Sequence, residues 1–192
     1  MADRKADNPA TTIDEAMWVV RARHDREAFA PLYLAYFDRV HAYCYRRLGN
    51  PEEAADATST IFSRALGALQ GCNESTFRSW LFAIAHNVLT DLYRSRHPEH
   101  RLDDALAVPG REPSPEEAAL AQETRHTVST LLAQLAPDQR SVLELRLAGL
   151  TSREIGVILN KHPNAVDQAQ FRAMQRLRSL VANGQPFLEG LR

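Results

Sequence analysis

The chain has 192 residues, of which 44% are hydrophobic and 24% charged, as in ordinary globular proteins. Its 23 lysine and arginine residues are balanced by 24 acidic residues, which excludes a uniformly basic coat for nucleic acid. Cys44 and Cys72 stand outside any spacing typical of a disulfide framework or a zinc site, so we predict a reduced, cytoplasmic protein. The polar start and the lack of a long apolar run predict neither a secretion signal nor membrane insertion.

Apolar residues recur at helical spacing along the chain, and no stretch alternates with the period of a strand. The first domain, 13–96, is predicted to contain helices over 13–23, 25–48, 51–69 and 76–95. The second domain, 118–181, is predicted to contain helices that begin just before it, over 116–135, 138–148, 152–159 and 163–181. The predicted fold class is therefore all-α, with two small helical domains.

A proline-rich segment separates the two predicted domains. It holds Gly110 and four of the ten prolines of the chain, which are Pro98, Pro109, Pro113 and Pro115. Acidic residues outnumber basic ones between positions 102 and 123, whereas basic residues are in excess between 139 and 181. We therefore predict a flexible acidic linker over 97–117 and a basic second domain.

The second domain contains the pattern of a helix-turn-helix. Thr151 and Glu154 are spaced as a capping box, and Pro163 suits the first position of a following helix. The apolar stripe of this following helix leaves a polar face outward, consisting of Asn164, Asp167, Gln168, Phe171, Arg172 and Arg176. Amides and carboxylates can reach base edges while arginines neutralise phosphates, so this face predicts DNA binding. The alternative is the solvated face of an ordinary helical hairpin.

Both halves resemble one protein family. The segment LLAQLAPDQRSVLELRLAGLTSREIGVILNKHPNAVDQAQFRAMQRLRSL is similar to the promoter-reading C-terminal domain of bacterial RNA polymerase sigma factors. The segments AFAPLYLAYFDRVHAYCYRRLGNPEEAADATSTIFSRAL and TFRSWLFAIAHNVLTDLYRSR resemble the sigma domain that holds the polymerase and reads melted promoter DNA. Two such domains joined by a short linker resemble the extracytoplasmic-function (ECF) class.

The resemblance implies a polymerase-binding surface on the helix over 52–69. Its exposed positions are expected to be Glu53, Asp56, Ser59, Thr60 and Ser63. The family usually has another acid at Ala55 and an amide at Ser59, so this surface is less polar than in relatives.

The resemblance also implies that the helix over 76–96 reads the minus-ten element. Its candidate contacts are Asn73, Asn87, Thr90, Arg94 and Arg96, which supply amide, hydroxyl and basic groups for bases and phosphates. The alternative for Asn87 is a helix-surface or capping amide. Phe77 and Trp80 share the spacing of the apolar stripe, so we expect core packing rather than base stacking.

The helix over 163–181 would read the minus-thirty-five element. Relatives usually carry small polar and basic residues at Ala165, Asp167 and Ala169. Asp167 can accept a hydrogen bond from cytosine, and Asn164 and Gln168 suit adenine. Arg172 and Arg176 would then supply the main phosphate contacts. The same departures leave open whether this atypical helix reads bases.

These observations predict an ECF-type sigma factor that binds core polymerase and promoter DNA and promotes initiation. No catalytic constellation or metal-ligand pattern occurs, so we predict a non-enzymatic protein with no cofactor. Because most relatives are held by an anti-sigma factor, the resemblance implies that partner too, although no residue identifies it. Two alternatives stay open: a dimeric helix-turn-helix regulator, and a sigma-like adaptor that does not read promoters.

Overall fold

The computed structural model describes residues 14–96 and 127–182, and the regular structure within these ranges is helical throughout. The first range holds α1 (Glu15–Ala22), α2 (Ala30–Leu48), α3 (Pro51–Ala68) and α4 (Phe77–Arg96). The second range holds α5 (127–133), α6 (Pro137–Leu147), α7 (Ser152–Leu159) and α8 (Pro163–Ala182). The all-α prediction is confirmed. The predicted linker over 97–117 and the predicted helical residues 116–126 lie outside the described residues.

Local signals fix the junction between α2 and α3. Gly49 ends α2 in the left-handed conformation, with φ of 70°, which glycine adopts at little cost. The side chain of Asn50 then accepts hydrogen bonds from the N–H groups of Glu52 and Glu53, at 2.9 and 3.1 Å. Because Pro51 lacks an N–H that would have no partner there, it suits the first position of α3. Two antiparallel helices result.

The predicted helix over 25–48 is divided in the structure. A short 3-10 helix, Arg26–Phe29, precedes α2. Pro31 is the second residue of α2 and has no N–H to donate to the preceding turn. The α-helical hydrogen-bond ladder therefore starts anew at Ala30 instead of running on from residue 25.

Helices α2, α3 and α4 enclose the core of the first half. Its fully buried members come from all three helices and include Leu32, Tyr36, Val40, Ile61, Phe77, Leu81 and Ala85. Phe77 is thus a core residue, as predicted, and Trp80 packs half-buried against the same core. Cys44 is also fully buried, and burial raises the pKa of its thiol to about 11.

The two halves pack directly against each other. Helix α7 lies against α4, and α6 lies against the end of α2. Val142, Leu145, Leu150 and Ile155 of the second half are buried in the same continuous apolar core as residues of the first half. A smaller cluster around Leu132, Leu135, Leu143 and Ala173 belongs to the second half alone. The sequence pattern predicted the helices of both halves but not their shared core.

Candidate nucleic-acid interface

Helices α7 and α8 form the helix-turn-helix that the sequence predicted. The capping box at its start is complete: the Thr151 N–H donates to Glu154 Oε2 at 2.8 Å, and the Glu154 N–H donates to Thr151 Oγ1 at 3.3 Å. Helix α7 ends at Asn160, whose φ is 52°. Pro163 starts α8. A short, left-handed turn therefore sets the angle between the two helices.

The turn passes very close to α7. The Lys161 N–H donates to the Gly156 carbonyl at 2.8 Å, so the chain folds back over this glycine. A Cβ atom added at Gly156 would lie 2.5 Å from the Lys161 carbonyl oxygen, well inside van der Waals contact. Residue 156 must therefore be glycine for the turn to keep this geometry.

Helix α8 has one buried face and one exposed face, as predicted. The inward stripe is Val166, Ala169, Ala173 and Leu180, all buried, with Leu177 half-buried. The predicted DNA-binding residues are all exposed, namely Asn164, Asp167, Gln168, Phe171, Arg172 and Arg176. Phe171 keeps 61% of its surface exposed and places an aromatic ring among the polar groups of this face. The face is thus free for a partner.

Asp167 already has partners within the protein. Its Oδ1 atom accepts a hydrogen bond from Ser152 Oγ at 2.5 Å and lies 3.4 Å from Arg146 Nη2. Arg146 also donates to Gln170 Oε1 at 2.9 Å and to the Leu150 carbonyl at 3.0 Å. One guanidinium therefore connects the end of α6, the start of α7 and the first turns of α8. Sequence patterns did not single out Arg146, because its side-chain partners Asp167 and Gln170 are distant along the chain.

The positive surface of the second half is smaller than its composition suggests. Arg140 and Glu144 are fully buried and paired, and Lys161 lies 2.8 Å from Asp138. The exposed arginines of α7 and α8 are Arg153, Arg172, Arg176 and Arg178. The charge available to phosphates therefore lies mainly along α8.

The predicted surface on α4 is only partly free. Asn87 and Arg94 are exposed, whereas Thr90 is half-buried and its hydroxyl donates to the His86 carbonyl at 2.7 Å. The Asn73 side chain accepts from the N–H and the hydroxyl of Ser75, at 3.0 and 2.7 Å, so it caps the short turn before α4. The Arg96 side chain lies outside the described residues.

A half-buried imidazole lies beside this surface. His86 Nδ1 is 3.2 Å from the Tyr43 hydroxyl, and Tyr43 is fully buried. Burial, together with the positive charge of Arg47, lowers the pKa of His86 to about 4. The imidazole is therefore neutral near pH 7 and belongs to the structure that supports α4.

The predicted polymerase-binding surface on α3 is largely free. Asp56, Ser59, Thr60 and Ser63 are exposed, and Glu53 is half-buried near the start of the helix. The opposite side of α3 packs into the core through Ile61 and Ala65. The structure thus brings these side chains onto one outward face.

Comparison with known proteins finds matches to sigma factors in both halves of the chain. The family model of sigma-70 region 2 matches residues 32–98, and that of sigma-70 region 4 matches residues 125–177. The ECF RNA polymerase sigma factor ShbA of Streptomyces griseus is 41% identical over 159 residues, covering 72% of this chain and 80% of ShbA. The chain belongs to the ECF RNA polymerase sigma factors.

Two solved structures share the fold of this sigma factor. CnrH in complex with the cytosolic domain of CnrY has a TM-score of 0.69 and 24% identity, covering 89% of this chain and 99% of CnrH. RpoE in complex with the anti-sigma factor NepR, from Bartonella quintana, has a TM-score of 0.61 and 18% identity, covering 80% of this chain and 96% of RpoE. These likenesses show the arrangement of helices.

No helix in residues 14–96 or 127–182 is long and apolar enough to cross a membrane. The same ranges contain no group of three or more His, Cys, Asp or Glu residues arranged to hold a metal ion.

Two polar contacts between the halves of the sigma factor were missed at the sequence level. Arg78 of α4 donates to both carboxylate oxygens of Glu154, at 2.8 and 3.0 Å. Arg47 Nε of α2 lies 2.6 Å from Glu144 Oε2 of α6. No local pattern marks such pairs, because their members are far apart along the chain.

Proposed function

We propose that this sigma factor binds the core of RNA polymerase through the outward face of α3 and directs initiation at promoters that contain two recognition elements. The exposed face of α4 around Asn87 would read the minus-ten element as unpaired DNA. The exposed face of α8 would read the minus-thirty-five element in duplex DNA. The observation that carries the proposal is the presence, in one chain of this family, of a complete helix-turn-helix and a separate exposed α4 surface.

Each surface has the chemistry that its role requires. The amide of Asn87 can hydrogen-bond to an unstacked base, and Arg94 on the same helix can neutralise a phosphate. On α8, Asn164 and Gln168 lie near the helix N-terminus, where side chains reach base edges in the major groove. Arg172 and Arg176 follow one and two turns later, in a position to contact phosphates.

We also propose that the protein acts in the cytoplasm as a non-catalytic subunit without a cofactor of its own. Its neighbour RpoE is bound by an anti-sigma factor in the solved complex. We propose that an anti-sigma factor binds this chain too.

The deciding experiment is transcription in vitro with purified core polymerase, the full chain and a library of promoters randomised at both elements. We expect initiation at a subset of sequences that share both elements. A dimeric regulator would shift duplex DNA without directing initiation. An adaptor would bind core polymerase and leave the choice of promoter unchanged.

The same assay tests Asn87. An Asn87→Ala variant should initiate less, while its free energy of unfolding changes by no more than about 0.5 kcal/mol, since the side chain is exposed. Asp38→Ala is the matched control, because Asp38 is an exposed polar residue of α2 away from the proposed surfaces. Normal initiation by a destabilised Asn87→Ala protein would assign this amide to the fold instead.

A further inference from the structure

Arg146 lies where the three helices α6, α7 and α8 meet. It is the last residue but one of α6. Its Nη1 atom donates to the Leu150 carbonyl at 3.0 Å, and its Nη2 atom donates to Ser152 Oγ at 2.5 Å, at the first residue of α7. Its Nε atom donates to Gln170 Oε1 at 2.9 Å, in the second turn of α8. One side chain therefore ties the end of α6 to both helices of the helix-turn-helix.

Asp167 completes this arrangement from the first turns of α8. The Ser152 hydroxyl accepts a hydrogen bond from Arg146 and donates one to Asp167 Oδ1 at 2.5 Å. Arg146 Nη2 itself lies 3.4 Å from the same oxygen. Within the described residues, the side-chain hydrogen bonds of Asp167 all fall on Oδ1, and 59% of its side chain is exposed. The Oδ2 atom is therefore available to a partner outside the protein.

Arg146 is poorly placed to act as a phosphate contact. Its side chain is half-buried, and all three nitrogens of its guanidinium have partners within the protein. The carboxylate of Asp167 also offsets its charge. Arg172 and Arg176 are exposed by contrast, so their charges are free for the DNA backbone. An effect of Arg146 on DNA binding is thus expected to pass through the residues that it holds.

The other contacts of α8 leave its rotation about its own axis weakly determined. The buried stripe of the helix consists of short aliphatic side chains, among them Val166, Ala169 and Ala173. Apolar contacts of this kind have no preferred direction. The planar guanidinium of Arg146, in contrast, fixes the direction of each hydrogen bond that it donates. Its contacts with Asp167 and Gln170 are spaced three residues apart on one side of α8, and they therefore set that rotation.

We propose that Arg146 is a positioning residue for base reading by α8, which fixes the rotation of the helix and keeps Asp167 Oδ2 directed at the DNA. The proposal rests on the proposed function, because it assumes that α8 reads the upstream element. Hydrogen bonds to base edges depend on length and angle, so a small rotation of α8 weakens them. Attraction to phosphates depends far less on direction. Loss of Arg146 should therefore reduce discrimination between bases more than general affinity for duplex DNA.

The test is binding by the full chain with core polymerase to promoters randomised in the upstream element. The base preference at each position is a ratio between sequences bound by the same sample. Partial unfolding of a variant lowers binding to all sequences equally and leaves this ratio unchanged, so a purely structural role of Arg146 would not alter it. The proteins compared are the wild type, Arg146→Gln, Asp167→Ala and the variant that carries both changes. Arg153→Gln is the matched control, because it removes an exposed arginine of α7.

We expect Arg146→Gln to relax the base preference at the position that Asp167→Ala also relaxes, by about fivefold or more. The doubly substituted protein should show no further relaxation at that position, because Arg146 acts there through Asp167. Arg153→Gln should keep the wild-type preference. Should Arg146→Gln fail to fold, Arg146→Lys still decides. It keeps the charge but lacks the planar fork, so it should relax the preference as well.

Three outcomes would overturn the proposal. Weaker binding to all sequences with the wild-type preference would show that Arg146 contacts a phosphate or only stabilises the fold. Relaxation by Arg146→Gln that adds to that of Asp167→Ala would show that the two residues act independently. A wild type without any upstream preference would overturn the proposed reading by α8, and this inference with it. A wild-type preference that persists in the Arg146 variants overturns this inference alone.

Discussion

At the scale of single residues, His86 places a proton-sensitive group inside the first half. Its imidazole is neutral because burial and the charge of Arg47 disfavour the protonated form, and its pKa is about 4. An unfolded chain would bind the proton near the ordinary value of about 6.5. Protonation therefore favours the unfolded state between these two values, so stability is full above pH 6.5 and falls as the pH approaches 4.

We predict that the wild-type protein loses about 2 kcal/mol of unfolding free energy between pH 7 and pH 5 through His86. His86→Gln should flatten the curve in this window, although it also removes the contact with Tyr43. The measurement is urea unfolding at several pH values, with His24→Gln, an exposed position, as control. Parallel pH curves for His86→Gln and wild type would contradict this assignment.

The proposed base-reading role of Asp167 can be separated by experiment from its contacts within the protein. As a base-reading residue it would discriminate at one position of the upstream element by about 1–3 kcal/mol. As a partner of Ser152 and Arg146 it would only hold α8 in place. We predict that Asp167→Ala relaxes the choice of base at one position, whereas Ser152→Ala, which removes the internal hydrogen bonds of Ser152 with Asp167 and Arg146 and leaves the carboxylate in place, does not.

The measurement for Asp167 is binding by the full chain with core polymerase across promoters randomised in the upstream element, at several salt concentrations. Removal of Arg172 or Arg176 should reduce the salt slope by about one unit each. Equal effects of Asp167→Ala and Ser152→Ala, with no change in base preference, would show that the carboxylate only positions the helix.

For the candidate surfaces, the sequence predicted those features that helical periodicity determines, namely which side chains of a helix face outward. The outward face of α8 follows from the spacing of Val166, Ala169 and Ala173, which is a local property. The internal partners of Asp167 could not be predicted, because Arg146 and Ser152 reach it from two other helices. Thr90 and Asn73 likewise bond to neighbouring backbone or hydroxyl groups that periodicity does not describe.

At the scale of elements, the helix-turn-helix depends on the close approach at Gly156. We predict that Gly156→Ala destabilises the protein by about 1–3 kcal/mol, because the added methyl would overlap the Lys161 carbonyl. Gly67→Ala in α3 is the matched control, since nothing lies within 4 Å of a Cβ atom there. It should stabilise by about 0.5–1 kcal/mol. Thermal unfolding of both variants measures the contrast, and a stabilised Gly156→Ala protein would refute the overlap.

The helices themselves were predicted well because their ends carry local signals. The capping box at Thr151 and the proline at position 163 fix the two helices of the motif, and Asn50 with Pro51 fixes the start of α3. The division of the helix over 25–48 was missed, although Pro31 was visible in the sequence. Pro31 is compatible with helical structure from Ala30 onward and also with a break before Ala30. The residue alone therefore did not show that the helix begins anew there.

At the scale of the whole molecule, the shared core makes the two halves one cooperative unit. We predict a single thermal unfolding transition for the full chain, with equal calorimetric and van't Hoff enthalpies. Apolar residues from both halves contribute to that core, so separating the halves exposes them to water. Calorimetry that resolved two independent transitions would show that the interface adds little stability.

Sequence patterns could not predict how the two halves pack against each other. A proline-rich acidic segment between two helical runs indicates two domains but gives no information about how they pack. In the sequence Glu144 is one more charged residue of a helix, yet it is fully buried, and its carboxylate is paired with Arg140 of its own helix and with Arg47 of α2. Burial of a charge is decided by tertiary contacts, which local periodicity does not encode.

The Ser129 and Arg140 side chains both donate to the Arg46 carbonyl in the last turn of α2, and this capping limits how freely the halves can be exchanged between relatives. A chimera that joins this first half to the second half of another family member would keep Arg46 and Arg47 but would need a carboxylate where Glu144 stands. Without it, the Arg47 guanidinium would lose its carboxylate partner, whereas Arg46 contacts the backbone carbonyl of residue 144. The promoter specificity that we propose for α8 is therefore not a free-standing module in this protein, and we expect a transfer of the exposed residues of α8 to be tolerated better than exchange of the whole second half.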